Sequence, residues 1–230
     1  MHFQHSPDMW AEFPELRAGV LRVTGIDPGG SVRDRVEHYG AVAEQRLAGG
    51  TESDLPEIQA WRRAFSRMGL KPTQYRCASE SLLRRFRKER SLPAIHPLVD
   101  LCNAVSLAYA IPIAVFDLAN VAGHLEVRHA AGDEAYLTFS GETEHPEPRE
   151  VVFVDARNRA HARRWTNRQS GLSAVRDTTA SALIVVEALH PTADTDVPKL
   201  LDDLAAEVTR AWSGDPAHAV LSSTSPRFTF

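Results

Sequence analysis

Apolar residues recur along this chain with two periods. A three- or four-residue step marks amphipathic helices, and short unbroken apolar runs mark buried strands. The helical step is carried by Val32, Val36, Tyr39, Ala43 and Leu47, and then by Ile58, Trp61, Phe65 and Met68. It returns in Leu82, Leu83 and Phe86, in Leu98, Leu101, Val105 and Ala108, and in Leu200, Leu201, Leu204, Val208 and Trp212. Punctuation agrees with these five helices. Ser31 suits an N-cap and Gly49–Gly50 a stop, while Pro56, Pro97 and Pro198 stand near helix starts and Gly69 follows an end. Strand-like runs lie at 13–23, 111–116, 125–130, 135–139, 151–155, 161–165 and 182–186. The gaps between the middle strands are rich in Gly, Pro, Glu and Asp, and 140–149 reads as a surface loop. Helices bracketing a mostly β middle predict one α/β domain over residues 1–230 with a mixed sheet. The ends, 1–12 and 214–230, read as flexible.

Residues 98–117 (LVDLCNAVSLAYAIPIAVFD) join a helix directly to a strand. Asp100, Asn103, Ser106 and Asp117 interrupt this apolar segment. Buried polar groups need partners, so these four either brace the fold or face a site.

Composition narrows the class. With 43% hydrophobic and 24% charged residues, the chain has the make-up of an ordinary globular protein. No apolar run reaches the roughly 18–20 residues of a membrane span, so no membrane partner is expected. The start, MHFQHSPDMW, lacks the basic and apolar regions of a signal peptide. The two cysteines, Cys77 and Cys102, are not paired as CxxC, and the ten histidines form no HExxH. A cytoplasmic, reduced protein without a metal site is the expectation. The net charge of −4 hides strong segregation: residues 61–90 carry +8 and residues 149–176 carry +5. Two basic blocks on an acidic body suit either local binding of a polyanion or solvated faces paired with nearby acids. In the first block, Arg84, Arg85, Arg87 and Lys88 crowd one helix and are the candidates for binding the phosphates of a polyanion. No DNA partner is expected.

Five segments carry a family resemblance. They are CASESLLRRF, LPAIHPLVDLCNAVSL, IPIAVFD, EVVFVDARNRAHARRWTNRQS and VRDTTASALIVVEAL, in this order between Arg76 and Leu189. Together they resemble the B3/B4 domain, known from the β subunit of phenylalanyl-tRNA synthetase, and most of all freestanding proteins made of that domain alone. The resemblance implies a compact α/β fold, with mixed sheets in a three-layer arrangement and flanking helices. It also implies a tRNA-editing activity without any cofactor: a pocket holds the wrongly attached amino acid and the terminal adenosine, and water attacks the ester.

Carried over by residue, Glu187 falls where the synthetase reads a tyrosine hydroxyl, Asn103 on a pocket asparagine, and Ala162 in a small-residue segment beside the pocket. Ala114 stands where the family has a pocket histidine. Arg163 to Arg168 replace a glycine-rich loop, so the mouth is rebuilt with cations and an indole. An aminoacyl ester is already activated, so positioning water and stabilising the oxyanion suffice, and no Ser–His–Asp triad is expected. The candidate substrate-binding set is Asn103, Ala114, Asp117, Ala162, Arg164, Trp165, Arg168, Ser170 and Glu187. Asn103 and Glu187 are the candidates for positioning water. Trp165 suits either a core position or stacking on a base, and Arg164 and Arg168 suit either phosphate or pairing with Asp155 or Asp177. The expected function is a freestanding aminoacyl-tRNA deacylase acting in trans on mischarged tRNA; the alternative is a non-catalytic tRNA- or RNA-binding module of the same family.

Overall fold

The computed structural model describes residues 1–213 and 216–230. The chain opens with β1 (His2–His5), α1 (Pro7–Glu12), β2 (Arg17–Thr24), α2 (Arg33–Leu47), α3 (Pro56–Arg67), α4 (Ala78–Glu89) and α5 (Pro97–Tyr109). A run of strands follows: β3 (Ile113–Asp117), β4 (His124–His129), β5 (Ala135–Leu137), β6 (Thr143–Glu144), β7 (Val151–Asp155), β8 (Arg159–Arg163), β9 (Arg168–Gln169) and β10 (Ser181–Ala188). The chain closes with α6 (Ala193–Trp212), β11 (Ala217–Leu221) and β12 (Arg227–Thr229).

Two sheets result. The larger has the order β12-β1-β4-β7-β8-β5-β6, with β9 paired to β8, and the smaller has the order β11-β2-β10-β3. The smaller sheet is covered on both faces, and the period of two along β10 shows how. Ala182, Ile184, Val186 and Ala188 pack with Leu98, Leu101, Val105, Leu200, Leu201 and Leu204 of α5 and α6. Leu183 and Val185 point the other way, into a second core with Phe3 of β1, Phe116 of β3, Phe153 of β7, and Trp61 and Phe65 of α3. The mixed α/β class is therefore as the sequence indicates. Glu187 follows Leu183 and Val185 at the same spacing, which places it on the face toward the larger sheet.

Four details differ from the sequence reading. The first twelve residues are not a loose tail: β1 pairs in parallel with β4 and antiparallel with β12, so the two ends of the chain form adjacent strands. Gly214 lies outside the described residues, but β11 extends the smaller sheet at its edge. The last helix begins at Ala193, before Pro198. Its first turn is tied by Asp196, whose Oδ2 accepts from Thr192 Oγ1 at 2.5 Å and meets His190 Nε2 at 2.9 Å. The strand expected at 161–165 is shifted to Arg159–Arg163, because the chain turns at Arg164.

Gly19 permits the close packing of α6 on the smaller sheet. A Cβ at this position would come within 2.8 Å of Leu201 Cδ1 and 3.0 Å of Val197 Cγ1. Gly19→Ala should therefore destabilise the protein by about 1–3 kcal/mol through overpacking. Urea denaturation of the two proteins checks this, with a lowered midpoint at unchanged slope as the expected result.

Candidate functional site

The site is built from the one carboxylate on the inward face of β10. Glu187 is 2% exposed. A carboxylate so deep needs hydrogen bonds, and it receives two on one oxygen. Trp165 Nε1 donates to Oε1 at 2.8 Å, and His5 Nε2 lies 2.6 Å from the same atom. Oε2 makes no hydrogen bond among the described residues. Glu187 lines a cavity of about 190 Å³ with Ala78, Ile113, Ala114, Phe153, Ala162 and the turn residues Trp165 to Gln169.

That turn is backbone-strained. Arg164 and Trp165 have φ values of +49° and +57°, in the left-handed region where L-residues pay a steric cost. Several contacts hold it in place. Arg164 N donates to Glu150 Oε1 and Trp165 N donates to Val151 O. The indole is fully buried, edge-on to Phe13 at 4.7 Å and to Trp61 at 4.9 Å. Asn167 Nδ2 donates to Arg76 O, and Ala78 N donates to Thr166 O, which clamps the turn to the start of α4. That helix is in turn fixed by its buried Glu80, which accepts from Arg62 of α3 at 2.6 Å.

Of the residues singled out in the sequence, Ala114, Ala162, Trp165, Arg168 and Glu187 meet at this cavity. Trp165 is a core residue whose polar edge serves the site, which joins the two readings of it. Arg168 is half-exposed and pairs with Glu144 at 2.9 Å, not with Asp155 or Asp177. The other four lie elsewhere. Asn103 is on the opposite face of α5 from its sheet-packing leucines, and lines a separate cavity of about 590 Å³ between α2, α5 and residues 91–94. Asp117 caps the turn after β3, accepting from Ala119 N at 3.0 Å and from Thr179 Oγ1 at 3.0 Å. Ser170 is buried and donates to Leu137 O at 2.7 Å. Arg164 leaves the cavity and lies over the Tyr75 ring at 4.9 Å. Sequence reasoning missed His5, because an isolated strand at the chain end carries no periodic signal. It also left Thr166 and Gln169 without a role. The Thr166 hydroxyl is buried without a partner, and Gln169 Nε2 donates to Val115 O.

The cavity offers no side-chain nucleophile of ordinary reactivity. Cys77 is next to it in sequence, but burial pushes its thiol up to about 12, so it stays protonated at neutral pH. A Ser–His–Asp set does exist elsewhere: His161 Nδ1 is 2.8 Å from Ser173 Oγ, and its Nε2 is 3.2 Å from Asp155 Oδ2 in poor alignment. All three are buried and none lines a cavity found beside Glu187. Its role is structural: Asp155 also binds Arg159 and the N–H groups of Ala122, Arg157 and Arg159. Among the described residues, no cluster of His, Cys, Asp or Glu is arranged to hold a metal ion.

The model of the B3/4 domain family matches residues 60–201, well over half of the chain. The chain belongs to the B3/4 domain family. The β subunit of phenylalanine–tRNA ligase from Shewanella oneidensis is 29% identical over 132 residues, 57% of this chain and 16% of that protein. The corresponding subunit from Chromobacterium violaceum is 36% identical over 72 residues, 31% of this chain and 9% of its own length. The matched part thus spans less than a fifth of either relative. Among solved structures, an N-terminal fragment of the phenylalanyl-tRNA synthetase β subunit from Pyrococcus horikoshii aligns with a TM-score of 0.49 at 8% identity. That alignment covers 93% of this chain and 49% of the fragment. The B3/4 match contains the whole lining of the cavity, including Glu187 and Trp165, and excludes His5.

The tRNA-phosphate candidates on α4 are largely engaged within the domain. Arg84 and Arg87 both bind the buried Glu52, at 3.2 and 2.9 Å, and Arg85 pairs with Glu89 at 2.8 Å. Lys88 makes no ion pair among the described residues. No helix of the described residues is long and apolar enough to cross a membrane.

Asp155 gives this region a pH signature. Burial alone would raise its pKa, but the His161 imidazole 3.2 Å away, hydrogen bonds from the Arg159 side chain and hydrogen bonds from backbone N–H groups hold the carboxyl far below the usual carboxylate range. A depressed folded pKa contributes stability that is fully present above the unfolded value near 4 and is lost progressively as pH falls from there through the folded value. Asp155→Asn should therefore be less stable than the parent at pH 7, with the difference shrinking below about pH 4. Denaturant titrations at pH 7 and pH 3 check both limbs.

Proposed function

We propose that this B3/4 domain is an aminoacyl-tRNA deacylase that acts in trans, hydrolysing the ester of a mischarged tRNA. The observation that carries the reading is the Glu187 cavity: an apolar recess with one carboxylate oxygen left free by two donors on the other. At about 190 Å³ it is smaller than the roughly 300–1,000 Å³ pockets of drug-sized ligands. It suits one amino-acid side chain, with the ester and the terminal nucleotide at the mouth. Glu187 Oε2 then accepts a hydrogen bond from a side-chain hydroxyl or ammonium. Thr166, the only hydroxyl-bearing residue in the lining among the described residues, has its Oγ1 buried without a partner, and a turn of that side chain into the cavity lets it hold the attacking water. Water adds to the ester carbonyl, the bond to the ribose oxygen breaks, and that oxygen leaves with a proton as the free hydroxyl. Half-exposed Arg168 at the rim exchanges Glu144 for a phosphate of the tRNA end. Kinship to phenylalanine–tRNA ligase β subunits supports tRNA as the polyanion.

The test is a panel of charged tRNAs incubated with the purified protein. Faster loss of label than in buffer for at least one mischarged pair is expected, and no acceleration for any pair overturns the reading. Glu187→Gln should lower kcat/KM on the preferred substrate about 10–100-fold, the worth of a hydrogen bond to a charged group. Ser173→Ala should leave the rate unchanged. Ala114, where a pocket histidine is the family expectation, favours the alternative of a non-catalytic tRNA-binding module. Saturable, salt-sensitive tRNA binding without any deacylation would establish it.

The tRNA face is tested at Arg85 and Lys88. Reversal of Arg84 or Arg87 would set new carboxylates against buried Glu52 and harm the fold. The double variant Arg85→Glu/Lys88→Glu should weaken tRNA binding and reduce the slope of log K against log salt by about one per lost phosphate contact. Filter binding across a salt series reads both.

A further inference from the structure

We propose that His5, supplied by the N-terminal strand, is a positioning residue for Glu187 and so helps to set which side chains the cavity accepts. The inference rests on the reading of this cavity as a side-chain pocket, and deepens it with a residue outside the B3/4 match.

The geometry is specific. A glutamate side chain in an apolar recess has free torsions, and either oxygen can face a ligand. Here two donors from distant parts of the chain converge on Oε1. The indole N–H of Trp165 can only donate, and the Nε2–H form of His5 completes the pair. With Oε1 saturated, Oε2 is the acceptor left for a ligand. A buried carboxylate oriented in this way discriminates strongly, because a ligand lacking the donor leaves it unpaired.

His5 is itself held firmly. Its side chain is wholly buried, and β1 is paired on both edges, with His5 opposite Val127 of β4 and Gln4 opposite Arg227 of β12. Its ring stands edge-on to Phe3 at 5.3 Å and tilted against Trp10 at 5.0 Å. His5 Nδ1 is buried without a partner. An apolar residue would fill such a place without that desolvation cost, so packing alone does not account for a histidine. The contact with Glu187 does.

The experiment compares His5→Phe, which keeps a ring but removes the donor, with His5→Gln, which keeps an N–H donor. Thermal melts first establish folding. The activity readout uses tRNAs whose amino acids differ by one hydroxyl, such as serine against alanine and tyrosine against phenylalanine. His5→Phe should reduce the ratio of kcat/KM for the preferred hydroxyl-bearing member over its partner at least tenfold, mainly through KM. His5→Gln should retain most of that ratio. Equal loss on both members in His5→Phe would show a packing role and overturn the proposal.

A second readout does not need activity. The indole N–H resonance of Trp165 is assigned by its disappearance in Trp165→Phe. It should shift in His5→Phe in the direction seen with Glu187→Gln, and stay near its original position in His5→Gln. An unmoved resonance in a folded His5→Phe overturns the proposal. A parent protein that deacylates nothing overturns the deacylase reading, while the resonance still decides the role of His5.

Discussion

The structure depends on keeping one carboxylate, Glu187, buried between two sheets. Burying an acid is costly unless its oxygens are paired, and breaking such a pairing leaves an uncompensated group. Trp165 and His5 meet that demand on one oxygen only. Everything that brings them there is thereby constrained: the two left-handed residues at Arg164 and Trp165, the clamp from Asn167 and Thr166 onto the start of α4, and the pairing of β1 with β4 and β12. The incomplete pairing also leaves a free acceptor oxygen in a recess where Ile113, Ala114, Phe153, Ala162 and Val185 supply the apolar lining.

Buried acids organise the basic segments in the same way. Glu52 gathers Arg84 and Arg87, Glu80 takes Arg62, and Glu150 takes Arg163 at 2.8 Å. Much of the charge concentrated in residues 61–90 and 149–176 is therefore spent inside the domain. What remains for a polyanion is a smaller set at the surface, with Lys88, Arg85 and Arg168 presenting cations beside exchangeable or absent partners. Those internal pairs fix α3 and α4 relative to the turn that carries Trp165, so the basic blocks contribute to the shape of the cavity even where they contact no ligand.

The Ser173–His161–Asp155 set shows why geometry alone does not define a catalytic site. Its distances resemble a hydrolytic triad, yet its atoms are sealed and its aspartate is occupied by Arg159 and by backbone N–H groups. The Glu187 cavity is the opposite case: it holds no such set, but it has space and an open acceptor. For an ester that is already activated, the second arrangement is the more useful one.

The sequence by itself determined the helices, most strands and the α/β class, because these depend on apolar periods of 3.6 and 2 and on local punctuation. It also determined the family, since ordered motifs from Arg76 to Leu189 are a property of the chain, and it placed Glu187 as an acid within the apolar run LIVVEAL of β10. Only the tertiary structure decided which candidates meet. Asn103 and Ala114 lie eleven positions apart and face different cavities, because one sits on the outer face of α5 and the other in β3. Asp117 and Ser170 resembled site residues until their hydrogen bonds to Ala119, Thr179 and Leu137 accounted for them. His5 could not be read in advance at all. Its partner is 182 positions away, and a contact of that separation is fixed by the packing of β1 of the larger sheet against β10 of the smaller one, which no local pattern encodes.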